Sequence, residues 1–152
     1  MATRSSVLIE VTQDYGENNL NNGLKRMQYY HHWDGYVNGV GLDLIKILLD
    51  LQGEEVLKQN LTDVEHFVSS KLNATYERES ANDVHTDIEF LYVINFDNGI
   101  TLDVYHTNHI NIGRFESYEE VLEKVNPKRL VEFVAFTSFD KEQYYNLKLL
   151  SN

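Results

Sequence analysis

Apolar and polar residues alternate with a period of two where Val7, Ile9 and Val11 interleave with Leu8, Glu10 and Thr12, which predicts a strand with one strongly apolar face. The pattern stops at Asp14-Tyr15-Gly16. From Glu17 to Gly23 the chain is rich in Asn, which bonds its own backbone and accepts left-handed geometry, so this stretch reads as an exposed connection. A second strand is predicted from Leu24 to His32, with Met27, Tyr29 and His31 on one face and Arg26, Gln28, Tyr30 and His32 on the other. Asp34-Gly35 breaks it. Gly39-Val40-Gly41 then leads into a segment where Asp43, Lys46 and Asp50 recur at helical spacing among leucines and isoleucines, the signature of a largely buried helix. Asp43 near its start suits the helix dipole, and Gly53 is placed to end it.

Thr62-Asp63-Val64-Glu65 has the form of a capping box, followed by an apolar stripe of Val64, Phe67, Val68 and Leu72. Residues Glu77 to Asp87 carry few apolar positions and are expected to form a loop. The clearest hairpin runs from Ile88 to His106: Ile88, Phe90, Tyr92 and Ile94 alternate, Asp97-Asn98-Gly99 turns, and Ile100, Leu102 and Val104 alternate again. Ser117-Tyr118-Glu119-Glu120 is a second capping box, with Val121, Leu122 and Val125 behind it and Pro127 preventing continuation. The nearly continuous apolar run Val131 to Phe136 suggests a central strand, and a last helix from Asp140 to Leu150 would pack Tyr144, Leu147 and Leu150 on the sheet. The order β-β-α-α-β-β-α-β-α predicts a single α+β domain with an antiparallel or mixed sheet of about five strands covered by helices. There is no internal repeat.

Composition narrows the chemistry. The 152 residues suit one core better than two, and the absence of cysteine excludes thiolate zinc sites, iron–sulfur clusters and thiol catalysis. No apolar run approaches the ~20 residues of a membrane span, and the N-terminus lacks a signal-peptide pattern, so a soluble, cytoplasmic protein without membrane contact is expected. Thirteen Lys and Arg against 24 Asp and Glu give a net charge of -11, which repels a phosphate backbone and argues against direct nucleic-acid binding.

Tyr29-Tyr30-His31-His32-Trp33-Asp34-Gly35-Tyr36, at the end of a strand, concentrates donors, acceptors and aromatic rings. Packing and turn chemistry account for such a segment as readily as ligand binding does. A metal could draw on His31, His32, His85, Asp87, His106 and His109, but their scatter lacks the short repeated spacing of a zinc motif. A serine triad could be assembled from Ser5 or Ser6, His31 or His32, and Asp34, yet no Gly-x-Ser-x-Gly elbow selects it. No catalytic set, metal or cofactor is therefore assigned. Gly39-Val40-Gly41 offers backbone N–H groups to a phosphate, but the spaced glycine fingerprint and the Walker lysine are missing. Asn73-Ala74-Thr75 matches a glycosylation acceptor without a secretion signal beside it. From Glu77 to His106 the acids Glu77, Glu79, Asp83, Asp87, Glu89, Asp97 and Asp103 face only Arg78, a run that either keeps the surface soluble or imitates a phosphate backbone.

Ala2-Thr3-Arg4-Ser5, His32-Trp33-Asp34-Gly35-Tyr36, Gly39-Val40-Gly41 and the strand Asp87 to Ile94 together resemble a set of small phage and prophage proteins with an Ala-Thr-Arg-Ser start and a His-Trp-Asp-Gly-Tyr core. The resemblance spans about a third of the chain and implies viral or mobile-element origin rather than an activity. It also suggests that the first two strands lie side by side, gathering Arg4, His32, Asp34 and Tyr36. Arg4 would then either pair with Asp34 or meet an anion framed by His32 and Tyr36. The expected function is that of a cytoplasmic, non-catalytic accessory protein that binds a host protein and alters its activity, as an inhibitor of a nucleic-acid-binding defence nuclease such as a CRISPR effector. Partner contacts are expected at Arg4, His32, Asp34, Tyr36, Asp83, Asp87 and Glu89. The alternatives are a nucleotide- or anion-binding protein or enzyme using the His-Trp-Asp-Gly-Tyr segment, and a component of the phage particle. Oligomeric state is left open.

Overall fold

The computed structural model describes residues 3–13, 16, 17, 20, 23–50, 66, 68–81, 83, 85, 87–96, 100–106 and 117–133. Its strands are β1 (Ser5–Gln13), β2 (Gly23–His31), β3 (Tyr76–Glu79), β4 (Phe90–Asn95), β5 (Ile100–His106) and β6 (Lys128–Phe133). They form one six-stranded sheet in the order β3-β2-β1-β4-β5-β6. Every neighbouring pair is antiparallel except β1 with β4, so the sheet is mixed. The helices are α1 (Leu42–Asp50), preceded by a π-helical turn at Val37–Gly41, and α2 (Tyr118–Lys124), with a further helical stretch at 68–71. This is the expected α+β architecture. None of the described helices is long and apolar enough to cross a membrane.

Strand alternation sorts the sheet into two faces. Val7, Ile9, Val11, Met27, Tyr29, Phe90, Tyr92, Ile94, Leu102 and Val104 turn to one side, where Leu44, Ile45, Ile47 and Leu48 of α1 cover them. Asp43 and Lys46 fall on the outer side of that helix, as its spacing requires. The opposite side buries Leu8, Tyr30, Leu91, Val93 and Tyr105 under Tyr118, Val121 and Val125. The predicted cap of α2 is present: the Ser117 side chain accepts from the Glu120 N–H at 3.3 Å.

Two expectations are corrected. The segment expected as a loop from Glu77 contains β3, which pairs Gln28↔Glu79 through His31↔Tyr76 with β2. Tyr-Glu-Arg-Glu shows no apolar stripe because a short strand at the sheet edge is stabilised by its ladder and needs charge on its open side. The strand expected as central from Val131 begins earlier, at Lys128, and among the described residues it pairs with β5 alone, with a register shift between Leu102 and Asp103. Apolar continuity reports cover on two faces and does not fix lateral position. It does lie in one sheet with the 88–106 hairpin, as expected. The first capping box (62–65), Gly53, the Asp97-Asn98-Gly99 turn, residues 134–136 and the predicted last helix lie outside the described residues.

Candidate functional site

The β1–β2 register, Ser5↔His31 to Gln13↔Gly23, brings the start of the chain beside the end of β2. Continued sideways, it sets Tyr76, His31, Ser5, Phe90 and His106 in one row across that end of the sheet. Beyond the row the backbone turns sharply at Asp34, whose φ of 53° lies in the left-handed region that Asp tolerates better than most residues. Three hydrogen bonds hold this turn. The Gly35 N–H donates to the Thr3 carbonyl at 2.9 Å, the Val40 N–H to that of Asp34 at 2.9 Å, and the buried Tyr92 hydroxyl to that of Gly35 at 2.6 Å. A side chain at Gly39 would overlap the Asp34 carbonyl oxygen, so glycine is what lets the π-helical turn close onto Asp34. The Gly39 and Gly41 N–H groups both donate to the Tyr36 carbonyl. With the Val40 N–H also used, this glycine turn has no backbone donor left to cradle a phosphate.

Between this turn, α1 and the segment before β3 lies an open cleft of about 590 Å³. Trp33 and Tyr36, 46% and 50% exposed, stand on its lip; Asp34, Asp43 and Lys46 supply its charges, and His31, Asn73 and Thr75 line it further. Asp43 accepts from the Tyr76 hydroxyl at 2.9 Å through one oxygen, while the Asp34 carboxylate has no side-chain partner among the described residues. Burial, then the Asp43 charge, raise the Tyr76 hydroxyl well above the ordinary tyrosine pKa, so it remains a donor. The imidazole of His31 is buried, its Nδ1 on the Trp33 carbonyl and its Nε2 3.0 Å from Thr75 Oγ1. Asn73, the residue of the glycosylation-like triplet, accepts from the Thr75 N–H at 2.9 Å and closes its own turn.

On the other face, the same end of the sheet carries a charged cluster. Arg4 pairs with Asp87 at 3.3 Å, so the pair with Asp34, one of the two roles expected for it, does not form; Asp87 also accepts from the Tyr30 hydroxyl at 2.9 Å. Tyr30 stacks on His85 with centroids 4.1 Å apart, and His85 bonds Glu79 through Nε2 while its Nδ1 lies 4.0 Å from Asp87. His32 reaches Glu77 at 3.2 Å. Burial first, and the Asp87 bond second, raise the Tyr30 hydroxyl, so it too holds its proton. Asp83 and Glu89 are exposed, and both use their backbones: the Asp83 carbonyl accepts from Gln28 at 3.0 Å and the Glu89 N–H donates to the Arg4 carbonyl at 2.8 Å.

The seven expected contact residues therefore divide. Arg4 and Asp87 meet directly, Asp34 and Tyr36 share the cleft, His32 joins β3, and Asp83 and Glu89 face solvent. Ser5 Oγ is buried and unpartnered among the described residues, so it forms no dyad with His31. No group of three His, Asp or Glu among the described residues is arranged to hold a metal. Asp43 and Lys46 were readable only as the polar side of a helix; their place in the cleft depends on the contact with Tyr76, 33 residues away. No protein-family model, curated protein or solved structure matches this chain.

Proposed function

We propose that this chain is a non-catalytic accessory protein that docks on a basic protein, the partner suggested by its phage-like pattern being a nucleic-acid-binding defence effector of the host cell. The observation that carries this reading is the exposure of Trp33 and Tyr36 in the same cleft as an Asp34 carboxylate without a side-chain partner among the described residues. Exposed aromatic rings beside charge are what protein interfaces use as anchors. The net charge of -11 adds attraction towards a basic surface at long range.

The acidic run contributes less than its sequence suggests. Asp87, Glu79 and Glu77 are engaged by Arg4, His85 and His32, whereas Asp83 and Glu89 have no ion pair among the described residues. A compact contact anchored by the aromatic pair fits this distribution better than imitation of a phosphate backbone along the whole run.

The test is affinity capture from host lysate followed by kinetics with the purified partner. Trp33→Ala should accelerate dissociation, and Asp83→Lys with Glu89→Lys should slow association, with binding that weakens steeply as salt rises. A partner with an acidic or neutral contact surface, or rates untouched by all three substitutions, overturns the reading.

A further inference from the structure

We infer that the cleft between α1 and the turn after β2 receives a guanidinium group, supplied by an arginine side chain of the docked protein. The inference deepens the docking function and rests on it for the source of the group. The chemistry of the cleft itself rests on the residues that line it.

The lining selects a cation. Two carboxylates, Asp34 and Asp43, face one ammonium, Lys46, and the N–H groups of Gly39, Val40 and Gly41 are consumed inside the glycine turn. Asp34 has no side-chain partner among the described residues, and Asp43 commits one oxygen to Tyr76 and has no other partner there. Towards the described residues, therefore, both carboxylates retain acceptor capacity for a ligand. Asp34 is also held in place: its carbonyl takes the Val40 N–H, and the next residue is bonded to both Thr3 and Tyr92. A carboxylate fixed in a left-handed turn by the backbone on both sides loses little freedom on binding.

The rings select the shape of that cation. Trp33 and Tyr36 line the cleft as half-exposed rings, Trp33 beside the imidazoles of His31 and His32 and Tyr36 edge-to-face with Phe90, and a planar guanidinium both stacks on such rings and gives parallel N–H donors to a carboxylate. A lysine ammonium would satisfy the charge and forgo the stacking. The volume, about 590 Å³, exceeds one guanidinium and admits the arginine stem with some of its peptide.

Trp33 is the single tryptophan of the chain, so its fluorescence reports on this cleft alone. The probes are N-acetyl-L-arginine amide, its lysine and citrulline counterparts, and free L-arginine, titrated at low ionic strength into the wild-type chain. A saturable change with the arginine amide in the millimolar range, a several-fold weaker one with lysine and none with citrulline are expected. Asp34→Asn should weaken binding about tenfold with Tm unchanged, because Asn is equally at home in the left-handed region. Lys46→Gln should tighten it. Equal binding of citrulline, or an Asp34→Asn variant that binds as wild type, overturns the site. Free L-arginine binding about tenfold tighter than the blocked amide would assign the cleft to a free amino acid and overturn the peptide source; equal binding supports that source. The two readings fail separately: a protein partner whose affinity ignores Asp34→Asn removes the cleft and leaves docking, while arginine binding without any basic partner does the reverse.

Discussion

The two faces of the sheet solve burial differently. Under α1 the interior is mostly hydrocarbon and rings: Val7, Ile9, Met27, Leu44, Ile45, Leu48 and Ile94 are fully buried, and of the three tyrosines there, two send their hydroxyls to partners at the border, Tyr92 to the Gly35 carbonyl and Tyr76 to Asp43. Under α2 a smaller apolar cluster surrounds polar groups that are just as buried. Gln28 and Ser6 are fully covered; the Tyr118 hydroxyl bonds both, and it accepts from the His85 N–H at 3.3 Å. Gln28 passes the network on to the Ser80 carbonyl at 2.6 Å, and at its border Arg26 holds Glu10 at 2.7 Å and Glu119 at 2.8 Å. Burial opposes the charge of Arg26, but its bonds to Glu119 and Glu10 outweigh this and raise its pKa. The α1 face supplies non-directional stabilisation, whereas the α2 face fixes which loop lies where, because each of its bonds has a single correct partner. Both meet at the end of the sheet where the cleft opens.

Alkaline pH tests the two faces together and should have the largest effect. Tyr76 and Tyr92 on one side and Tyr30 and Tyr118 on the other all have hydroxyl pKa values raised by burial as the leading cause. Their contribution is whole below the ordinary tyrosine pKa of about 10 and is lost above it, because the unfolded chain then releases protons that the folded one retains. Stability should fall as pH rises above ~10, by up to about 1.4 kcal/mol per pH unit for each of Tyr76 and Tyr92, with Tyr30 and Tyr118 adding in the same direction. Denaturant melts between pH 9 and 12 check this, with tyrosinate absorbance following the melt; tyrosines that ionise freely in the folded protein would break the burial assignment.

Next in size is Leu48→Ala on the α1 face, where a fully buried side chain leaves a cavity. The expected cost is about 2–5 kcal/mol in a urea melt. Tyr118→Phe on the α2 face should cost about 1–3 kcal/mol, because it strands the buried Gln28 amide oxygen. Combined with Gln28→Leu it should cost less than the two single changes added, since the stranded acceptor is gone. Strict additivity would mean that the network is not a network. The smallest change is Ser5→Ala: with no partner for its buried hydroxyl among the described residues, the variant should melt within about 0.5 kcal/mol of wild type or be slightly more stable. A clear loss would show that the hydroxyl is satisfied in solution.

The strands and helices named from periodicity are legible because each buries one stripe, and a stripe is a local property. Met27, Tyr29 and His31 share a face as their spacing requires, Leu44, Ile45, Ile47 and Leu48 turn inward, and Ser117 caps α2. The adjacency of the chain start and the end of β2 also followed from the sequence reading. The partner of Arg4 did not. Asp87 and Asp34 are equally acidic on paper, and the choice depends on β4 running parallel beside β1, with the Glu89 N–H bonded to the Arg4 carbonyl.

Legible in the sequence alone, then, are the strands and helices of the α+β fold, the face each buries and the acidic balance. Periodicity and composition carry that information because every residue reports its own exposure. The tertiary structure alone decided that Tyr-Glu-Arg-Glu is an edge strand, that the acidic run is partly neutralised from within, and that Asp43 and Lys46 close a cleft with Trp33 and Tyr36. Each of these depends on pairs separated by tens of residues, such as Tyr30 with Asp87 and Tyr76 with Asp43. No local pattern encodes such pairs, because they form only when strand order and helix packing have already brought the two segments together.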